Sequence, residues 1–321
     1  MKIFLLALLL IALVLITVGY VIFYLAFCRF PRDPAALRLK GLQPYGTIID
    51  EGIAWFREQE SEEVSILAWD GTRLAGHYLH HPQSRGTILL MHGFRSHALY
   101  DFSCIFKVYY ELGFSLLTVH QRAHGKSGGQ YITLGVKERK DCRNWCQYIA
   151  DRYGSGHDIF LDGISMGAAT VLMASGLDLP GSVRGIIADC GFASPYREMK
   201  HVLRSYHLPE HPFLDITDCF CRCFAGFSLK EASTLEAMEK NHLPVLFVHG
   251  QADELVPWTF SQEAYEACRA PKQLITVETA GHGLCYLMER EKMDAILSQF
   301  LERHGSKAAK AASDDLQTLS E

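Results

Sequence analysis

Ile3 to Phe27 is apolar throughout and carries no charged residue. Twenty-five helical residues at ~1.5 Å each cover the ~30 Å hydrocarbon core of a bilayer with room to tilt. A cleaved signal peptide would have a shorter apolar run ending in a small-x-small site, so residues 1–28 read as an uncleaved single-pass membrane anchor. Residues 29–62 form a juxtamembrane connector interrupted by Pro31, Pro34 and Pro44. Within it Ile49, Ile53 and Phe56 share a helical face beside Trp55, which fits a helix lying on the membrane or one packed on the body.

Beyond residue 62 short apolar runs alternate with helical periodicities. Val64–Trp69 and Leu74–Leu79 read as a hairpin across Asp70-Gly71. Thr87–Met91 is a short buried strand, followed by a helix with Leu99, Phe102, Phe106 and Tyr109 on one face. Phe114–Val119 is a strand, and Cys142, Trp145, Cys146 and Ile149 mark the next helix at i, i+3, i+4, i+7. Further strands fall at the apolar run after Asp158, at Arg184–Ala188, Val245–Val248 and Leu274–Val277. A closing helix uses Met293, Ile296, Leu297, Phe300 and Leu301. Strands alternating with helices predict an α/β body over residues 63–304, a mostly parallel sheet of about eight strands with helices on both faces. Between residues 194 and 233 the rhythm breaks into an aromatic stretch with Pro209 and Pro212, read as a small helical cap. Residues 305–321 are polar and Ala/Ser-rich, as a disordered tail is.

Composition narrows the partners. The 321 residues are 49% hydrophobic with net charge −5, enough for one large α/β domain with appendages. Charges of both signs are interspersed, so no nucleic-acid surface is implied. The ten cysteines are scattered, several at apolar helix positions, and read as mostly reduced, buried thiols; Cys219-x-Cys221-x-Cys223 lacks zinc-site spacing. Lys2 lies on one side of the anchor and Arg29, Arg32, Arg38 and Lys40 on the other. The positive-inside rule and the thiols lean toward a cytoplasmic body but do not fix its side, and the face stays open.

Chemistry concentrates where the strand after Asp158 meets Gly163-Ile-Ser165-Met-Gly167 and then a helix of small residues. Gly-x-Ser-x-Gly at a strand-to-helix junction is a nucleophile elbow: the turn strains the serine backbone, and flanking glycines remove side chains that would collide. In this order the chain also carries His92-Gly93-Phe94, then the elbow, then Gly250-Gln-Ala-Asp253-Glu-Leu-Val-Pro257, then Ala280-Gly281-His282-Gly283. With these four motifs the chain resembles the α/β-hydrolase superfamily from about Val64 to His304. More narrowly it resembles the membrane-anchored serine hydrolases with a short cap. One departure is His120, where the family loop after the Phe114–Val119 strand usually opens with Asp; the change bears on loop structure more than on chemistry.

Ser165 is the expected nucleophile and His282 its base, placed just after the last strand as the order Ser, acid, His requires. Asp253 is the expected acid, with Asp189 and then Glu254 as alternatives. His92 and His249 also end strands, but each precedes a Gly in a turn and is expected to order it. Backbone N–H groups of Phe94 and Met166 are the expected oxyanion donors. The function expected is hydrolysis of carboxylic esters through an acyl-enzyme, on a small-molecule or lipid-like acyl substrate, with the membrane as the other partner. No cofactor or metal is implied, and the oligomeric state is undetermined. A serine peptidase is the first alternative, though such peptidases usually bring a large β-rich N-terminal domain. A catalytically inactive membrane-anchored binding module is the second. Epoxide hydrolases and dehalogenases on this fold use a carboxylate nucleophile, against which Ser165 argues.

Overall fold

The computed structural model describes residues 1–30 and 40–306. The expected disordered tail beyond 306 and the connector residues Pro31, Arg32, Pro34 and Arg38 lie outside the described residues.

The first element is α1 (Lys2–Phe27), followed by a 3-10 turn at Lys40–Tyr45 and α2 (Gly46–Glu58). Ile49, Ile53 and Phe56 of α2 are buried, and the Phe56 ring meets Phe106 at 4.6 Å, so α2 packs on the body. The antiparallel pair β1 (Ser61–Leu67) and β2 (Arg73–Leu79) turns through Asp70-Gly71, where Gly71 has φ +79°. Next come β3 (Gly86–Met91), α3 (Ala98–Asp101), α4 (Phe106–Glu111), β4 (Ser115–His120) and α5 (Glu138–Tyr153). They are followed by β5 (Asp158–Ile164), α6 (Met166–Ala174) and β6 (Val183–Asp189). A helical excursion then holds α7 (Pro195–Ser205), α8 (Phe213–Phe220), a π-helical turn (Cys221–Ala225) and α9 (Thr234–Lys240). The chain returns through β7 (Val245–Gly250), α10 (Thr259–Ala267), β8 (Lys272–Val277), α11 (Cys285–Met288) and α12 (Arg290–His304).

The eight strands form one sheet in the order β1-β2-β4-β3-β5-β6-β7-β8. β2 pairs antiparallel with β1 and β4, and the other pairs are parallel. β3, β4 and β7 are buried along their whole length, as expected of continuous apolar runs covered on both faces. One core cluster joins the sheet to α5 and α6, and a second joins it to α2, α4 and α12. A third, away from the sheet, joins α6 and α8 to the second half of α1.

The sequence departs from this picture at the helix expected over Leu99–Tyr109. It is two helices, α3 and α4, separated by a turn. The Ser103 hydroxyl donates to the Tyr100 carbonyl at 2.9 Å and competes with helical pairing. A side chain at Gly52 would lie 2.0 Å from the Ser103 carbonyl oxygen, so the turn is where α2 seats on the body.

All ten cysteines are free thiols. Cys221 is buried while Cys219 and Cys223 are exposed, so the Cys-x-Cys-x-Cys run does not converge on one point.

The loop after β4 is tied down by Arg122, whose side chain is 5% exposed. Its guanidinium holds Asp141 of α5 through two 2.6 Å hydrogen bonds and Asp70 through one of 2.9 Å. Burial pushes the Asp141 carboxyl up to about 7 against the pull of Arg122. Arg122→Met should therefore lose about 3–5 kcal/mol by stranding a buried carboxylate. Denaturant midpoints read this loss, and Asp141→Asn in the same chain should recover part of it.

Candidate active site

The elbow is built by close backbone contacts. β5 delivers the chain to Ser165, which takes φ +57° and ψ −117° and serves as N-cap of α6. A Cβ at Gly163 would lie 2.3 Å from the Gly167 carbonyl oxygen, and one at Gly167 would lie 1.8 Å from that of Met91. Both motif glycines are thus required by space rather than by dihedral freedom. The Ser165 N–H donates to the Asp189 carbonyl at 2.8 Å, which fixes the turn to the end of β6. A non-glycine residue so placed stores on the order of 1–3 kcal/mol of strain, held by the packing around it.

Asp253 lies in the turn after β7, opened by Gly250, whose Cβ would meet the Ala280 carbonyl oxygen at 2.1 Å. One carboxylate oxygen, Oδ1, accepts the N–H groups of Leu255 and Val256, each at 2.9 Å. The other, Oδ2, accepts from His282 Nδ1 at 2.7 Å and from His249 Nε2 at 3.1 Å. His249 Nε2 also reaches the Val256 carbonyl at 3.0 Å, and its Nδ1 lies 2.7 Å from Ser261 Oγ. The strand-end histidine therefore buttresses the carboxylate as well as the turn. Burial alone would raise the Asp253 carboxyl, but the hydrogen bonds from His249 and His282 hold it well below the usual carboxylate range.

Of the two alternative acids, Asp189 is buried with Oδ1 unpaired, and Glu254 is exposed. Among the described residues neither hydrogen-bonds to His282.

The loop after β3 carries Gly93, Phe94 and Arg95 and is pinned from three sides. Asp101 Oδ2 accepts the Gly93 N–H at 2.6 Å and Oδ1 accepts the Ser96 hydroxyl at 2.5 Å. His92 Nδ1 donates to the Gly93 carbonyl at 2.8 Å while its Nε2 accepts the Gln121 N–H at 3.1 Å. His124 Nδ1 donates to the Arg122 carbonyl at 2.8 Å and Nε2 accepts the Arg95 N–H at 3.0 Å. These roles require neutral rings, and burial lowers both, His124 to about 4 and His92 well below its ordinary value. Among the described residues the Phe94 and Met166 N–H groups have no protein acceptor.

His120, the family departure, packs edge-on to His97 at 4.7 Å. A Cβ at Gly125 would lie 2.4 Å from its ring, so the loop closes over the imidazole and keeps its Ala123 N–H to Gly128 carbonyl bond at 2.7 Å.

Ser165 and His282 open into one cavity of about 290 Å³, walled by Phe94, Ile187 and Leu297 and by the carboxylates of Asp101, Asp162 and Asp189. Among the described residues no hydrogen bond joins Ser165 to His282. His282 Nε2 instead lies 3.8 Å from Cys190 Sγ. Ligand atoms of Cys190, Asp253 and His282 come within 4.8 Å of one another. Asp253 is, however, committed to Nδ1, on the other side of the imidazole from Cys190, so the three do not converge as metal ligands.

Sequence reasoning missed Asp101, His124 and the second role of His249. Asp101 and His124 join residues 8 and 29 positions apart, and no spacing rule marks them.

Two family profiles match overlapping stretches of the chain. One is described as serine aminopeptidase, S33, over residues 82–206, and the other as serine hydrolase (FSH1) over residues 182–284. The uncharacterized protein YqkD of Bacillus subtilis is 29% identical over 248 residues, covering 77% of this chain and 81% of that protein. YfhR of Escherichia coli K12 is 24% identical over 296 residues, 89% of each. Among solved structures, the Pyrococcus furiosus esterase Pf2001 matches with a TM-score of 0.66 at 22% identity, covering 87% of this chain and 99% of that one. The sheet order, the strained Ser165 elbow and these profiles agree, and the chain has the α/β-hydrolase fold with the features of its serine hydrolases.

Proposed function

We infer that the chain is a serine hydrolase that cleaves carboxylic esters, with Ser165 as nucleophile, His282 as general base and Asp253 as the acid that orients it. The observation that carries the reading is a strained serine at a helix N-terminus sharing one cavity with a histidine bound at 2.7 Å to a buried carboxylate. His282 takes the Ser165 proton as Oγ bonds to the acyl carbon, after turning Nε2 from Cys190 toward the serine. The tetrahedral oxyanion accepts the N–H groups of Phe94 and Met166, aided by the N-terminal end of α6. Collapse breaks the ester C–O bond, and His282 returns the proton to the leaving alcohol. Water then repeats the cycle on the acyl-enzyme, releasing the carboxylic acid and free Ser165.

Electrostatics favours Asp253 over Asp189 as the acid. Burial raises Asp189 to about 6 even against the pull of His249 and His282, and raises Asp162 to about 7 against the Tyr109 hydroxyl that donates to it at 2.7 Å. A carboxylate held ionised stabilises an imidazolium, and a neutral one does not.

A peptidase reading has one observation in its favour, the description of the profile over residues 82–206. The two are separated by assaying p-nitrophenyl esters beside amino-acid p-nitroanilides.

Fluorophosphonate should label the full chain and fail to label Ser165→Ala, with kcat for p-nitrophenyl esters falling by at least about 10⁴-fold in Ser165→Ala and in His282→Ala. Labelling that survives in Ser165→Ala would overturn the assignment.

Stability should also depend on pH through the cavity carboxyls. Asp162 and Asp189 stay protonated in the native state up to about 7 and about 6, while the unfolded chain has already ionised. From about pH 4 to 7 the unfolded state binds fewer protons, so stability falls as pH rises and levels off above. Thermal unfolding at pH 5 and 8 should show this fall, reduced on the order of 1–3 kcal/mol in Asp162→Asn.

A further inference from the structure

The second half of α1 packs on the body. Leu15, Val18, Gly19, Ile22, Phe23, Ala26 and Phe27 form a seam spaced three and four residues apart, more buried than the residues between them. The seam lies against α8 and the π-helical turn. A Cβ at Gly19 would be 2.3 Å from Ile216 Cγ2, and the ring of Phe220 meets Tyr20 at 5.4 Å and Phe23 at 6.0 Å. Phe27 meets Phe227 at 5.7 Å.

This docking limits how a bilayer fits. Only Lys2–Val14 of α1 is exposed on all sides. The apolar part of it, Ile3–Val14, is about 18 Å long, too short for a ~30 Å hydrocarbon core. About 20 residues are needed, which carries the hydrocarbon to the level of Ile22, alongside α8. The outer face of α1 stays apolar and exposed that far and beyond, with Val21 at 45% and Leu25 at 55%, and Phe224 on the π-helical turn is 55% exposed beside Phe23. Tyr20 and Tyr24 stand where an interfacial aromatic belt belongs. The exposed pair of His211, just before α8, and Asp215, in its first turn, marks the polar start of that helix.

The wall of the Ser165 cavity meets α1 at the end of this face, through Arg95. Arg95 Nη2 donates to the carbonyls of Leu25 at 2.5 Å and Cys28 at 3.1 Å, closing the last turn of α1. Its guanidinium lies over the rings of Phe30 at 4.7 Å and Phe94 at 4.9 Å. Arg95 and Phe94 both line the cavity that holds Ser165.

We propose that the cap edge formed by α8 and the π-helical turn rests in the bilayer beside α1, and that Ser165 receives membrane-resident acyl esters whose chains leave the lipid along the last turns of α1 and pass Phe94. The substrate half of this rests on the hydrolase reading above. The bilayer contact does not.

The test uses the full chain reconstituted in phosphatidylcholine vesicles. Turnover of a fluorogenic diacylglycerol carried in the vesicles is compared with that of p-nitrophenyl acetate in solution. Phe224→Glu and Val21→Glu place a charge on the lipid-facing edge, away from the cavity. Vesicle turnover should drop about tenfold or more in each, with the soluble ester within about twofold as expected for exposed positions. A parent active on the soluble ester but inert on the vesicle ester overturns the proposal, as do variants in which both rates move together. Phe224→Trp reads the contact without catalysis: lipids brominated in the upper acyl chain should quench it beyond the parent's own tryptophans. Absence of added quenching overturns the bilayer contact. A parent inert on every ester overturns the hydrolase reading and with it the lipid substrate, and the quenching then decides the bilayer contact alone.

Discussion

The close approach of α6 to the end of β3 is the constraint on which the site depends. Gly167 leaves no room for a methyl group against the Met91 carbonyl. That contact places the helix N-terminus beside the loop after β3, so Ser165, the Met166 N–H and the Phe94 N–H are set relative to one another by backbone packing. Side chains come second, and they lock the loop: Asp101 on Gly93, His92 on Gly93 and Gln121, His124 on Arg95. A site positioned this way has little entropy left to lose when charge develops in it.

The second organising centre is the Asp253 carboxylate. Four donors converge on its two oxygens, two backbone N–H groups on one and two imidazoles on the other. Asp189, Asp162 and Asp101, a short distance away, are raised by burial, so one carboxylate in this neighbourhood is kept charged and the others are driven toward neutrality. Identical side chains thus take different ionic states because of their hydrogen-bond partners.

The parallel sheet and the elbow were legible in the sequence because both rest on local signals. Continuous apolar runs such as Thr87–Met91 can only be buried strands or helices, and their length and spacing decide. The glycines around Ser165 report a steric requirement directly. Three features were not legible, and each has a physical cause. The break between α3 and α4 lies inside an unbroken helical periodicity, at a turn where the Ser103 hydroxyl takes the Tyr100 carbonyl. The seam on α1 has a regular spacing, but most neighbouring positions are apolar too and none is charged, so little contrast in hydropathy marks the packed face. The contact of His282 with Cys190 joins residues 92 positions apart and leaves no local trace.

Because α1 contributes Phe23 and Phe27 to the third core cluster, it is a structural member of the folded body as well as an apolar helix. Deleting residues 1–28 to obtain a water-soluble enzyme would uncover Phe220, Phe227, Leu214 and Tyr131 and remove the carbonyls that hold Arg95. Such a fragment would carry a sticky trough beside the cavity that holds Ser165. Poor behaviour of it in solution would report the missing helix rather than a defect of the hydrolase body. Keeping α1 on the chain is the sounder route to a working preparation.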